Sequence, residues 1–486
     1  MTLHTDVLVV GFGPVGVTLS GMLARRGVRV LAVEREHDIF PLPRAAHLDS
    51  EVMRILQDLG CAEEVAPALI TNHGQDFVTA DRQVLLSMRS PAATRSGWPS
   101  SNMFHQPGLE RPMREAAIAH GVDVRLGTEV VAIRDRGDHV EVELADGALI
   151  TAGFVVGCDG ARSLVRRQMG VTMHDLQFEE PWLVLDLVLH DGTPVPSAMA
   201  LQVCDPARPH TLVPMPAPRY RFEFMVLPGE DAAQIASDES VRNLLSAWLD
   251  PEAVTVERSA VYTFHGLIAH QWRCGRVLLA GDSAHQMPPF LGQGMCSGIR
   301  DAANLAWKLA AVVQGAAPHD LLDTYQAERE PHVRAIVESA VGFGRLICTT
   351  DAAVAAERDR NMLAARAARG DSVGGGGGPT LPEGPLVAAG GRTAVQPMVG
   401  GTRLDDLVGP GFAVLLRTAQ HAHPDGLRFW TALGATVLDA VATPEVAEVL
   451  DELGADAAVV RPDRYVLCTG EQLGTPDAVT VALLSR

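Results

Sequence analysis

A Gly-x-Gly-x-x-Gly turn between an apolar run and a helical pattern constrains this chain more than any other feature. Asp6 to Val10 reads as a short buried parallel strand, and Gly11-Phe12-Gly13-Pro14-Val15-Gly16 follows it directly. Leu19, Met22 and Leu23 mark one face of a helix over 15–26, which Gly27 stops. A β-rich run over 28–33 then ends at Glu34 and Arg35. In such a turn Gly11 allows the tight bend, Gly13 lets the backbone approach a pyrophosphate, and Gly16 lets helix and strand touch. Pro14 and Val15 open a helix whose N-terminal N–H groups favour negative charge. Glu34 stands 18 residues after Gly16, where a carboxylate can accept from the ribose hydroxyls of an adenosine. The alternative is a structural glycine turn in an ordinary α/β domain.

Two later motifs favour FAD over NAD. Gly157-Cys158-Asp159-Gly160-Ala161-Arg162-Ser163 ends a buried strand near 154–156, and Gly281-Asp282 ends another over 277–280. An aspartate just past a buried strand can accept from a polyol, and FAD has a ribityl chain where NAD has none. The stretch Pro288-Pro289-Phe290-Leu291-Gly292-Gln293-Gly294-Met295-Cys296-Ser297-Gly298 then leads into a helix expected over 299–313. Backbone N–H groups at that helix start suit the negative charge of a reduced flavin.

Organisation and composition bound the rest. The chain has 486 residues, 47% of them hydrophobic, which is ample for large cores. Lys+Arg total 40 against 59 Asp+Glu, a net charge of −19 that argues against nucleic acid and anionic membranes as partners. No uninterrupted apolar stretch of about 20 residues is present, so no membrane span is expected. Seven scattered cysteines without C-x-x-C predict neither disulfides nor a metal site, and fit a reducing cytoplasm. Lys308 is the sole lysine and reads as an ordinary helix-surface ammonium. Strand-like runs over 182–189, 221–227 and 254–264 predict a separate sheet in 171–270, inserted into an α/β unit formed by 1–170 and 271–373. Gly374 to Gly378 reads as a mobile linker to a further unit over 379–486.

With all three motifs in order, the chain resembles the single-component FAD-dependent aromatic hydroxylases of the p-hydroxybenzoate hydroxylase fold. Gly97-Trp98-Pro99, Gln106-Pro107, Cys204-Asp205-Pro206, Arg221-Phe222-Glu223-Phe224-Met225-Val226-Leu227-Pro228-Gly229-Glu230 and Gly292-Gln293-Gly294-Met295 are similar to the 3-(3-hydroxyphenyl)propionate hydroxylase-like branch. The resemblance covers about 5–345 and implies an α/β fold: a GxGxxG-type FAD-binding Rossmann-like domain, an inserted β-sheet substrate domain and a C-terminal thioredoxin-like domain. It implies that Gly11, Gly13, Gly16 and Glu34 hold the ADP half of FAD and that Arg44 lies near the flavin and pyrophosphate. It further implies that Gln106 contacts the cofactor, Asp159 serves both FAD and NAD(P)H, Asp282 binds the ribityl chain and Pro289 lies near flavin and substrate. Gly294, Met295 and Cys296 would present backbone to the pyrimidine ring.

The implied reaction uses NAD(P)H and O2 to hydroxylate a small phenolic or related aromatic substrate through a flavin C4a-hydroperoxide, in a monomer or homodimer. An acceptor near the phenol would enrich the ring. His47, His105, His210, Tyr220, Tyr262 and His285 are chemically able to act as one, and Arg208, Arg219 and Arg221 could clamp a carboxylate, though Arg221 reads equally as a solvated strand edge. Polyketide tailoring (polycyclic hydroxylation, epoxidation or Baeyer–Villiger insertion) and a non-catalytic FAD-binding scaffold are the alternatives.

Overall fold

A computed structural model describes residues 3–91, 94–369, 379–474 and 476–485; the expected linker over 374–378 lies outside the described residues. Five parallel strands run in the order Val277–Leu279, Leu149–Gly157, Leu3–Val10, Val30–Val33 and Asp123–Arg125. The apolar runs of these parallel strands are buried, as expected of parallel strands covered on their faces; antiparallel strands Val130–Asp135, Val140–Leu144 and Arg273–Cys274 complete an eight-stranded mixed sheet. Helix Pro14–Arg25 follows the glycine turn and packs on helix Gly294–Val313. Strands Asp123–Arg125 and Val130–Asp135 are separated where Gly127 turns the chain at φ +63.

A second, eight-stranded sheet is built around two long antiparallel partners, Met173–Leu189 and Val254–Ala269. It extends beyond 171–270. The hairpin Gly74–Val78 and Val84–Arg89 joins it through a parallel pair of Gln75 with Ala200, and His285–Gln286 adds the opposite edge. Alternation along the strands gives its two faces different chemistry. Leu183, Leu185, Leu212, Phe222 and Phe224 form a core on one side, against which helix Asp238–Leu245 packs. Asp186, Gln202, Thr211, Arg221 and Glu223 occupy the alternate positions on the other and are buried as well, so that face is not a solvated one.

The last unit has a four-stranded sheet in the order Thr436–Asp439, Ala413–Leu416, Ala457–Val460 and Val466–Gly470, the first pair parallel and the rest antiparallel. It shares a hydrophobic core with the first sheet; Trp307 and Phe412 meet edge to face at 5.6 Å. Buried ion pairs cross the same seam. Arg54 donates to both Asp405 oxygens at 2.5 and 2.8 Å, and Arg461 reaches Glu328 at 2.8 Å. Lys308, read from sequence as a surface ammonium, is 0% exposed and lies 2.9 Å from Glu328. Helix Gly294–Val313 sits between layers, so its polar stripe also faces protein.

Candidate active site

A cavity of about 700 Å3 opens between the two large sheets. One end is the glycine turn. Gly11 has φ +98, and a Cβ on it would lie 2.4 Å from the Cys158 carbonyl oxygen. A Cβ on Gly16 would lie 2.0 Å from the Gly11 carbonyl oxygen, so both glycines are required by packing alone. Gly13 differs: nothing lies within 4 Å of its Cβ position, and with Pro14 and Val15 it borders the cavity. Glu34 lies outside the lining. Its two oxygens accept from the N–H groups of Phe12 at 2.8 Å and Glu36 at 3.1 Å, fastening the turn to the second strand. Arg35 is exposed and pairs with Glu36.

The cavity floor is held by a buried charge hub. Asp301 accepts from the Gly281 N–H at 3.1 Å and from Arg329 Nε at 2.9 Å, and it lies 2.6 Å from His285 Nε2. This fixes the turn that aims Asp282 into the cavity, while Gly281 stays behind the lining. The Asp282 carboxylate accepts no hydrogen bond from any described residue. Burial raises its pKa against the pull of His285 and Arg44. Asp159, by contrast, is spent within the protein, accepting from Ser163 Oγ, Ser283 Oγ and the N–H groups of Leu164 and Val165.

Gly292, Gly294 and Met295 border the cavity at the start of helix Gly294–Val313, whose first main-chain bond is Ser297 N–H to the Gln293 carbonyl. The N–H groups before it are therefore free of intrahelical partners. Cys296 is turned away, its Sγ 3.7 Å from the His47 carbonyl oxygen, and burial pushes its thiol up. Pro289 and Arg44 also border the cavity, and Gln106 fixes the Arg44 loop by accepting from the N–H groups of Arg44 and Ala45 at 2.8 Å each.

Most of the candidate acceptors and clamps have other roles. His47 lines the cavity, but its Nδ1 faces the Gly292 carbonyl at 3.2 Å and its Nε2 the Ser101 hydroxyl at 2.8 Å; burial holds its pKa low. His210 and Tyr220 point to the far core, His210 stacked on Phe224 and Tyr220 donating to the Ser197 carbonyl. Tyr262 lies outside the lining beneath Arg258. His285 belongs to the Asp301 hub, and His105 precedes the Gln106 helix outside the lining. Arg208 pairs with Glu230 and Arg219 with Glu257. Arg221 is neither a clamp nor a solvated edge: it is 3% exposed and donates to Asp186 at 2.7 Å and to the carbonyls of Arg44 and Pro43 at 2.8 and 2.9 Å. Sequence reading missed Asp301, Arg329 and Glu223. Asp301, Asn304 and Lys308 are spaced i, i+3 and i+7 on an apolar helix, and Arg221 and Glu223 alternate with phenylalanines; both were legible signals of polar groups on a buried face.

The site fits a dinucleotide with a polyol chain: an open glycine at a helix start, an unpaired carboxylate aimed into the hollow, and a second helix start facing the same space. Together the two sheets and this cleft define a flavin-dependent oxidoreductase. Residues 4–340 match the family described as "FAD binding domain", and residues 391–484 match "HcaD C-terminal domain". The chain belongs to this FAD-binding family, among its FAD-dependent aromatic hydroxylases. It is 39% identical over 494 residues to a probable NADH-specific resorcinol 4-hydroxylase of Rhodococcus jostii, covering 95% of this chain and 91% of that one. It is 37% identical over 518 residues to a 3-(3-hydroxy-phenyl)propionate/3-hydroxycinnamic acid hydroxylase of Mycolicibacterium gilvum, covering 95% and 88%. The crystal structure of aklavinone-11 hydroxylase with FAD and aklavinone superposes with a TM-score of 0.81 at 27% identity, over 99% of this chain and 98% of that one. The protein is an NAD(P)H-dependent flavoprotein monooxygenase with FAD as its cofactor, acting on aromatic substrates.

Proposed function

We propose that this chain hydroxylates a small monocyclic phenol, drawing its electrons from NADH. The observation that carries the reading is the single cavity shared by the glycine turn, the Asp282 loop and a buried polar sheet face. Bound FAD supplies the redox chemistry and oxygen activation. Around it, Gly13, Pro14 and Val15 take the pyrophosphate at the helix start, with Gly11 and Gly16 giving the turn its shape. Glu34 orders the ribose end beside Arg35. Asp282 accepts from the ribityl hydroxyls. Arg44, Gln106 and Pro289 border the ring system. Gly294 and Met295 direct helix-start N–H groups at the pyrimidine edge beside Gly292, whose own N–H is donated to the Pro289 carbonyl, supported from behind by Cys296 and Gly281. Asp159 acts as a cap on the loop beside the site.

We assign the FAD unit to 1–170 and 271–373, less the 74–89 hairpin, and the substrate unit to 171–270 with that hairpin. Residues 379–486 form a thioredoxin-like unit with a structural role, supported by its mixed four-stranded sheet and its lack of C-x-x-C. Among the described residues no helix is long and apolar enough to cross a membrane; we place the protein in the cytoplasm as a monomer or homodimer. The aklavinone-11 hydroxylase likeness supports polycyclic substrates as a second reading, but the higher identity to the resorcinol hydroxylase favours the monocyclic one.

The test is direct. FAD-loaded protein should oxidise NADH faster when resorcinol or 3-(3-hydroxyphenyl)propionate is added, with one oxygen atom gained by the aromatic product in mass spectrometry. Stoichiometric peroxide with no oxygenated product across a panel of monocyclic phenols would overturn it.

A further inference from the structure

The polar sheet face that walls the cavity carries a buried carboxylate with no hydrogen-bond donor among the described residues. Gln202, Thr211 and Glu223 stand directly opposite one another on three neighbouring strands, and all three border the cavity. Thr211 Oγ1 donates to Gln202 Oε1 at 2.6 Å. Glu223 is 6% exposed and accepts no hydrogen bond from any described residue. Its ion-pair neighbour is Arg221, with Nη1 3.8 Å from Oε1. That guanidinium is already committed through Nε, Nη1 and Nη2 to Asp186 and two loop carbonyls. Arg258 completes Asp186 from the other side at 3.2 Å. Two arginines therefore face two carboxylates, and charge is balanced before any ligand enters.

Such an arrangement has a chemical preference. A buried carboxylate without donors is costly until something donates to it. A second carboxylate beside it would meet like charge in a poorly screened place. On the wall itself the cations are engaged, Arg221 and Arg258 with Asp186, and beside it Arg89 pairs with Asp76 at 2.6 Å; Arg44, which also borders the cavity, is exposed on its loop over Phe40. We propose that Glu223 is the hydrogen-bond acceptor for the substrate hydroxyl, and that this wall selects uncharged hydroxybenzenes over ring acids that would lay a carboxylate on it. Burial raises the Glu223 carboxyl, opposed by Arg221, which makes it a better acceptor for a phenolic proton. The hydroxyl keeps its proton in a shared hydrogen bond, and its oxygen gains electron density for the ring.

This rests on the chain being a phenol hydroxylase, and the experiment separates the two. With FAD-loaded wild type, dissociation constants are measured by flavin difference spectra for resorcinol, 1,3-dimethoxybenzene and 3-hydroxybenzoate, alongside kcat and KM for the two phenols. Resorcinol should bind at least tenfold tighter than its dimethyl ether and have at least tenfold higher kcat/KM than 3-hydroxybenzoate. Glu223→Gln should raise the resorcinol dissociation constant at least tenfold, leave that of the ether within twofold, and narrow the discrimination against 3-hydroxybenzoate; Glu223→Asp should recover part of the resorcinol affinity. Should the variant not fold, the wild-type comparison with the ether and the acid stands by itself. Equal resorcinol affinity in Glu223→Gln and wild type, or a wild-type preference for 3-hydroxybenzoate, overturns the proposal. Failure of the wider reading looks different: no phenol, charged or neutral, stimulates the wild type.

Discussion

Gly13 and Gly16, three residues apart, answer to different demands. Alanine at Gly16 drives a methyl into the Gly11 carbonyl, whereas alanine at Gly13 meets open cavity at an ordinary negative φ. Gly13→Ala should therefore keep the wild-type urea midpoint while purifying with less FAD, read from the ratio of flavin to protein absorbance. Gly16→Ala should lose stability before any question of cofactor arises. Buried charge gives a second expectation. Asp186→Asn strips the shared partner from Arg221 and Arg258 and should cost about 3–5 kcal/mol in urea unfolding. The glycine turn and Asp282 were legible because strand, turn and helix are contiguous in sequence. Arg221 was not, since its partners Asp186, Pro43 and Arg44 come from distant segments and convert a plausible substrate clamp into a strut for the cavity loop.

At the scale of elements, helix Gly294–Val313 shows what a buried helix does with a polar stripe. Asp301 holds the Asp282 turn, Asn304 donates to Glu328, and Lys308 meets the same carboxylate. Burial pushes Lys308 down to about 8. The unfolded chain then binds more protons between about 8 and 10.5, so this group makes stability rise with pH across that window. Glu328 runs the other way: against burial, Arg461 and Lys308 hold it at about 2, so its contribution is lost as pH falls from about 4.5 towards 2. Urea midpoints measured from pH 7 to 10 should show a rise above 8 in the wild type that Lys308→Met lacks. Glu328→Ala should be destabilised by about 3–5 kcal/mol, because Lys308 is left buried without its partner, and the Lys308→Met/Glu328→Leu pair should recover much of that. The short parallel strands were readable from apolar runs. The start of strand Met173–Leu189 was not, because His174, Asp175 and Glu179 are exposed and break the pattern. Nor was the 74–89 hairpin's place in the second sheet, which depends on pairing across a long stretch of chain.

Over the whole molecule, the third unit is fastened more firmly than an appended module needs to be. Arg54 with Asp405, Arg461 with Glu328, and Arg95 with Glu452 at 2.7 Å all cross the seam beside a shared apolar core. A protease site introduced after Gly376 should let the chain be cut without separating it. The two pieces should co-elute in size exclusion even in about 1 M salt, since buried pairs are screened far less than exposed ones. Dissociation on cutting would show that the covalent link, rather than the seam, holds the unit in place.

One seam contact reaches further than the others. Tyr465 donates to Glu51 at 2.8 Å, Glu51 receives Arg300 at 2.6 Å, and Arg300 donates to Gln293 at 3.1 Å, next to the glycines that border the cavity. Inheritance is constrained accordingly. A recombinant that borrows its tail from a cousin would carry a mismatched tyrosine contact straight to the loop that borders the cavity, so tail and body are expected to diverge in step, each tolerating only those changes the other can match.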